Sequence, residues 1–281
     1  MTSVLITGGT GTFGRAFTRF LLDNEYSDRI CIYSRGEHTQ AHMRAEFGDD
    51  PRLRFLIGDV RDQSRLRRAM ESVNLVVHAA ALKRIEVGQY NPIEMVRTNI
   101  DGAVNVIEAA QDARVDEVVA LSTDKAYQPV SPYGQSKALA ESLFLAAANT
   151  IDKEIGPRFK VVRYGNVWRS NGSVVPKWES MIQGGQSYVP VTDPDCTRFY
   201  MTIDQAVELV WEAYEVHEPG RLIVPDLPAY RLGDLVDALG VKALVTKLPA
   251  WEKKHESMDD TKCSETARRM SVQELREALS A

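Results

Sequence analysis

The sequence predicts an α/β protein built on a doubly wound parallel sheet, with a smaller lobe at its C-terminal end. Three observations carry this expectation. Short apolar runs alternate with longer segments of helical period through the first 165 residues. A glycine-rich turn follows the first of these runs directly. After Arg163 the alternation stops, and Pro and Gly become frequent, from Gly172 and Pro176 to Pro219 and Gly220. Alternating β and α segments demand crossover helices and a parallel sheet covered on both faces.

Taken in order, residues 4–7, 30–33, 53–57, 75–78, 117–121 and 160–163 read as buried parallel strands, being short apolar runs bounded by turn signals. The clearest helical start is Asn91-Pro92-Ile93-Glu94, with Asn as cap, Pro at the first helical position and Glu three after the cap. Its apolar spacing predicts that Val96, Ile100, Val104 and Ile107 are buried. Residues 1–165 are therefore assigned to a nucleotide-binding unit, with later segments returning to its sheet, and residues 166–281 to a smaller lobe. Within that lobe, residues 203–216 and 231–239 read as amphipathic helices, and a last helical stretch lies near 272–279.

Composition narrows the classes. Hydrophobic residues make up 44% and charged residues 26%, values of an ordinary folded chain rather than a disordered or fibrous one. Lys and Arg number 34 against 39 Asp and Glu, so the net charge is −5 and no basic surface is offered to a nucleic-acid backbone. Cys31, Cys196 and Cys263 are an odd number without C-x-x-C spacing, which argues against a disulfide framework or a zinc knuckle and for a reducing compartment. The N-terminus lacks the pattern of a signal peptide, and no apolar run reaches the ~18 residues of a membrane span. The expectation is a cytoplasmic protein with neither membrane nor nucleic acid as partner.

The turn Gly8, Thr10, Gly11, Thr12, Phe13, Gly14 lies after a strand and opens a helix, the context in which glycines let a backbone approach a pyrophosphate at a helix N-terminus. At the end of the second strand, where NAD-binding proteins place an acid for the ribose, stand Ser34 and Arg35. A guanidinium and a hydroxyl suit a 2′-phosphate, so NADP is expected as cofactor. Asp59 and Val60, after the third strand, are placed to meet the adenine, and Asp59 is alternatively a helix cap. The small residues Ala79, Ala80 and Ala81 after the fourth strand complete the expected cofactor site.

Ser122-Thr123-Asp124-Lys125 ends the fifth strand, and Tyr133 and Lys137 share a helix face at i and i+4. Both clusters fall at the carboxyl ends of strands, where open α/β sheets bind ligands. The Lys137 ammonium is expected to move the Tyr133 phenol from its ordinary pKa of ~10 towards working pH, making a base for a hydroxyl proton. The five His residues lack ligand spacing, so no metal is expected.

Those motifs carry a resemblance. Ser122-Thr123-Asp124-Lys125-Ala126 with Pro129 and Tyr133, Ala80-Ala81-Leu82-Lys83, Tyr90-Asn91-Pro92-Ile93-Glu94, Arg163-Tyr164-Gly165-Asn166-Val167, Thr197-Arg198-Phe199 and Glu252-Lys253-Lys254-His255-Glu256 occur in family order. With the glycine turn, they resemble the extended short-chain dehydrogenase/reductase superfamily. More narrowly, they resemble the inverting UDP-N-acetylglucosamine 4,6-dehydratases of polysaccharide biosynthesis, across about residues 3–256. The resemblance implies a Rossmann-type sheet and a small C-terminal substrate-binding lobe. It also implies a UDP-sugar substrate, a homo-oligomer, and catalytic roles for Thr123, Asp124, Lys125, Tyr133 and Lys137. Asp124 and Lys125 supply the acid and base that elimination needs and that a plain epimerase or reductase does not. The resemblance further implies Arg198 on the diphosphate, Asn166 and Val174 on the uridine side, and Glu252 on ribose hydroxyls. Lys83 reads equally as a substrate contact or as surface cover. Asn99, in a helix it suits poorly, reads as a contact near the active site or as an exposed residue. A UDP-sugar 4-epimerase or 4-reductase and a non-catalytic NADP-binding module are the competing readings. Three departures from the family pattern are Arg169 in place of a usual glycine, Ser131 in place of a usual asparagine, and a shorter C-terminal lobe.

Overall fold

The computed structural model describes residues 2–151, 156–215 and 218–281. Its first half alternates strictly: β1 (Ser3–Thr7), α1 (Thr12–Asp23), β2 (Arg29–Ser34), α2 (Glu37–Phe47), β3 (Leu53–Ile57), α3 (Gln63–Ala69) and β4 (Leu75–His78). The short helices α4 (Ile85–Tyr90) and α5 (Pro92–Met95) follow, then a π-helical stretch at Val96–Asp101 that runs into α6 (Gly102–Asp112). Next come β5 (Glu117–Leu121), a 3-10 turn at Asp124–Ala126, α7 (Pro132–Thr150) and β6 (Arg158–Val162). The second half contains α8 (Val174–Gln183), β7 (Tyr188–Val191), β8 (Thr197–Phe199), α9 (Ile203–Glu215), β9 (Leu222–Ile223), β10 (Ala229–Arg231), α10 (Leu232–Leu239), β11 (Lys242–Val245) and α11 (Val272–Ser280).

Seven parallel strands form one sheet in the order β3-β2-β1-β4-β5-β6-β9, so the direction of winding reverses between β1 and β4. Because successive strand residues point to opposite faces, the sheet separates two cores. Leu5, Tyr33, Val76, Val118 and Phe159 pack under α3, α6 and α7. Ile6, Ile32, Val77 and Leu121 pack on the other face with Phe17 and Leu21 of α1 and with Val207 and Val210 of α9. Residues of α9 and β9 thus join the main sheet and its core, although they follow β7 and β8 in the chain. A third core, around Trp178, Tyr230, Leu235 and Leu275, unites α8, β7, α10 and α11. Two small sheets, β10-β8 antiparallel and β11-β7 parallel, serve this lobe. The expected end of the helix at Val216, and His217, lie outside the described residues.

The helix expected from Asn91 differs in two respects. Asn91 holds the N-cap position, with Pro92 next, but its side chain makes no capping bond: its Nδ2 donates back to the Val87 carbonyl at 3.0 Å, while Glu94 pairs with Arg61 and Arg97. The buried face is also not the one that regular 3.6-residue spacing selects. Val96 is exposed and Ile100 and Val104 are only half-buried, while Met95, Thr98, Asn99, Ala103 and Val106 face inward with Ile107. The cause is the π-helical stretch, whose extra residue rotates the buried stripe around the axis and turns Asn99 into the interior.

Candidate active site

A cleft of about 1320 Å3 runs along the carboxyl ends of the central strands and continues between the sheet and the lobe. Its position at the reversal of strand order is where doubly wound sheets bind ligands.

One half of the cleft begins at the glycine turn. Gly8 has φ +68°, and a Cβ there would lie 2.9 Å from the Ala80 backbone. At Gly14 a Cβ would lie 2.4 Å from the Gly9 carbonyl oxygen, so only glycine lets α1 start this close to the turn. Gly11 is the N-cap of α1, with no side-chain capping bond and no acid in the first turn, which leaves the positive helix end facing the cleft. This is the donor set a pyrophosphate needs, so the residues present fit a dinucleotide.

Farther out, the Tyr33 hydroxyl donates to the Asp59 carbonyl at 2.8 Å, and buried Gln40 donates to both the carbonyl and the hydroxyl of Ser34. Arg35 stands at the mouth, more than half exposed, with its guanidinium 3.9 Å from the Asp59 carboxylate. The helix cap after the third strand is Asp62, not Asp59. Thr10, Thr12, Phe13, Val60, Ala79, Ala80 and Ala81 complete the lining here.

At the centre, the Asp124–Ala126 turn is pinned from both sides. The Asp124 N–H donates to the Tyr164 carbonyl at 2.9 Å. A Cβ at Gly134 would lie 2.3 Å from the Lys125 carbonyl oxygen, so the first turn of α7 sits hard against this segment. Ser131 caps α7 by accepting from the Gly134 N–H at 3.1 Å, which satisfies the helix start despite the departure from asparagine.

Thr123, Lys125, Tyr133 and Lys137 line the cleft, whereas Asp124 is fully buried behind them. The Thr123 hydroxyl donates to Asp124 Oδ1 at 2.9 Å, and Lys125 Nζ donates to the same oxygen at 3.0 Å and to Asn166 Oδ1 at 3.2 Å. Asp124 Oδ2 has no hydrogen-bond partner among the described residues. Burial raises the Asp124 pKa against the pull of Lys125. Burial disfavours the Lys125 ammonium, but the Asp124 and Glu256 carboxylates outweigh it and hold Lys125 above the ordinary lysine value.

The expected relation between Tyr133 and Lys137 needs correction. Burial pushes the Tyr133 phenol up to about 12, opposed by Lys125 rather than by Lys137. Burial also brings Lys137 down to about 8, and its Nζ donates to the Leu121 carbonyl at 2.7 Å.

In the lobe half, Lys83, Asn166, Val174, Arg198 and Glu252 all line the cleft. Arg198 and Glu252 pair with each other, and Arg198 also donates to the carbonyls of Thr197 at 2.7 Å and Lys254 at 3.1 Å. Burial and the neighbouring Arg84 lower the Lys83 pKa. Asn99 does not reach the cleft. Its side chain accepts from the Leu82 N–H and donates to the Leu82 carbonyl and the Ser136 hydroxyl, tying the loop after β4 to α7. Of the two expected readings the contact near the active site is the one seen, made to the Leu82 backbone and not to the cleft, because the π-helical stretch aims Asn99 inward.

Glu256 and Lys253 also line the cleft. Both lay in a motif visible in the sequence, yet nothing local to them signals proximity to Lys125. Among the described residues, no cluster of three or more His, Cys, Asp or Glu side chains could hold a metal ion, and no helix is long and apolar enough to cross a membrane.

Strand order, the glycine turn against β4 and the Tyr133–Lys137 helix beside Thr123 together define a short-chain dehydrogenase/reductase architecture. Within it, the chain belongs to the polysaccharide biosynthesis protein family, which matches residues 4–265. It is 43% identical over 258 residues to the UDP-N-acetylglucosamine 4,6-dehydratase (inverting) of Campylobacter jejuni, covering 91% of this chain and 77% of that one. It is 42% identical over 242 residues to a UDP-glucose 4-epimerase of Rickettsia bellii, covering 84% and 70%. Among solved structures, Pen from Bacillus thuringiensis superposes with a TM-score of 0.94 at 32% identity, covering 99% of this chain and 97% of that one.

Proposed function

We propose that this protein is a nucleotide-sugar 4,6-dehydratase using NADP, acting on UDP-N-acetylglucosamine and inverting C-5. The observation that carries the reading is the Asp124–Lys125 pair. It adds a carboxylate and an ammonium to a Thr-Tyr-Lys set that oxidation alone would leave without them. The Campylobacter relative supports the substrate, and the Ser34-Arg35 pair at the cleft mouth supports NADP.

When bound, the nicotinamide supplies a reversible hydride acceptor and a positive ring that favours the Tyr133 phenolate. Tyr133 takes the proton of the C-4 hydroxyl, and the resulting 4-keto group acidifies C-5. Lys125 faces the cleft as an ammonium, so it becomes a base by passing a proton to Asp124, whose raised affinity for protons suits it to receive one. Lys125 then takes the C-5 proton while the C-6 hydroxyl leaves as water, its proton coming from Asp124 through the Thr123 hydroxyl. With the hydride taken from C-4 given back at C-6, C-5 accepts a proton from an acid on the face opposite Lys125, which inverts that centre. Protons released at C-4 and C-5 balance those taken up by the leaving hydroxyl and at C-5, so the cycle loses one water and consumes no reductant.

The Rickettsia relatives favour a second reading, a 4-epimerase, which would leave Asp124 and Lys125 without a chemical task. Incubation with UDP-N-acetylglucosamine separates the two: mass spectrometry shows loss of one water for a dehydratase and unchanged mass for an epimerase. Substrate deuterated at C-4 is expected to give product deuterated at C-6, and turnover in heavy water to place deuterium at C-5. An L-configured ring in the proton couplings confirms inversion.

A further inference from the structure

Lys125 meets a second carboxylate that arrives from the far end of the chain. Glu256 is 2% exposed, its Oε1 lies 3.6 Å from Lys125 Nζ, and its Oε2 lies 3.0 Å from Lys253 Nζ. The residue is built into place. Its backbone N–H donates to the Ser264 hydroxyl at 2.9 Å, and its carbonyl accepts from the Ser264 N–H at 2.7 Å. The same Ser264 hydroxyl lies 2.6 Å from that of Thr197, and the Thr197 N–H donates to the Lys254 carbonyl at 3.0 Å. Strand β8 therefore clamps residues 254–256 against the cleft. Lys253 fixes the other side by donating to the Tyr127 carbonyl at 2.9 Å, just past the Asp124–Ala126 turn.

We infer that Glu256 is a positioning residue of the site, a carboxylate supplied by the lobe that fixes the Lys125 ammonium in the cleft and sets the pH at which it can act. This rests on the dehydratase reading for its consequence in turnover, but not for the coupling itself. Lys125 donates to Asp124 Oδ1 and Asn166 Oδ1 and forms a longer ion pair with Glu256 Oε1, so three side chains from separate segments of the chain hold its ammonium. The charged groups that act on it are Asp124 and Glu256, which favour the ammonium, and Arg198, which opposes it. Glu256 in turn faces Lys125, Arg198 and Lys253, and despite the penalty of burial these cations keep its pKa below the ordinary carboxylate value. The carboxylate is therefore charged whenever the site works. Without it, Asp124 alone holds the ammonium, and Lys125 gives up its proton more readily.

The test reads Lys125 directly. In the full chain, Glu256→Gln removes the charge, and trace acylation at fixed pH followed by peptide mass spectrometry reports the neutral fraction of Lys125, with Lys83 in the same cleft as internal standard. An opposite charge at this separation shifts a pKa by about one unit or more, so labelling of Lys125 relative to Lys83 should rise about tenfold. In dehydration assays, the ascending limb of the pH profile should move down by about one unit. Glu256→Asp, which keeps the charge, should bring both readouts most of the way back to the parent level and serves as the folded comparison if the Gln variant melts early. A Lys125 labelling rate unchanged in the Gln variant, or raised equally in both variants, overturns the inference. Failure of the parent protein to release water would instead overturn the dehydratase reading and leave the labelling result standing.

Discussion

Replacing Lys137 by Met should make this protein more stable at neutral pH while abolishing catalysis. Lys137 is 6% exposed, and burial lowers its pKa from the ordinary 10.5 to about 8, with Glu141 opposing the shift. A depression of about 2.5 units corresponds to about 3 kcal/mol of unfavourable differential interaction, carried in full while both folded and unfolded chains are protonated. Methionine removes that penalty and keeps the apolar stem. It also leaves the Leu121 carbonyl without its 2.7 Å donor, at a cost of about 1–2 kcal/mol. The balance is a gain of about 1–2 kcal/mol, or a rise in Tm of about 2–5 °C for a chain of this size.

The pH dependence fixes the sign. Because the folded pKa is depressed, the unfolded chain binds more protons between about pH 8 and 10.5, and the parent protein gains stability as pH rises through that window. The advantage of Lys137→Met is therefore largest below about pH 8 and disappears by about pH 10.5. Thermal melts of both proteins across this range measure it. A variant less stable than its parent at neutral pH, or an advantage independent of pH, would refute the assignment of a buried, desolvated ammonium.

Arg35→Asp should shift cofactor preference from NADP towards NAD by removing a charge-assisted contact of ~1.5–3 kcal/mol; equal affinities for the two cofactors in the parent by calorimetry would remove the 2′-phosphate role. Tyr133→Phe should lose hydride transfer altogether. Lys125→Ala should still oxidise C-4 but release water slowly, as single-turnover absorbance of the reduced cofactor will report; full dehydration by this variant moves the base to another residue. Gly14→Ala places a Cβ 2.4 Å from the Gly9 carbonyl oxygen and so forces α1 away from the turn, which should cost about 1–3 kcal/mol of stability and most cofactor affinity. Cofactor binding at the parent level would show that the turn tolerates the shift.

By itself the sequence determined what short windows encode. Short apolar runs and the turn residues that bound them located six strands of the sheet, because both signals are local, although the strand expected at 160–163 begins two residues earlier at Arg158. The Gly8-to-Gly14 turn was legible because a tight turn at a helix start needs glycine wherever the chain goes next. Tyr133 and Lys137 were placed on one helix face by their spacing alone. Their charge states were not, since desolvation acts on both and raised the phenol instead of lowering it. Asn99 carried only a weak signal, that of an asparagine in a helix, and the π-helical stretch that turns it inward has no clear mark in the sequence. Glu256 and Lys253 reached the Asp124–Lys125 pair only because the third core and the Thr197–Ser264 clamp fold the distant segment back over the cleft. Propensity and spacing act over a few residues and can be read from the chain. Proton affinity and long-range pairing depend on what is packed around a group, and only the tertiary structure decides that.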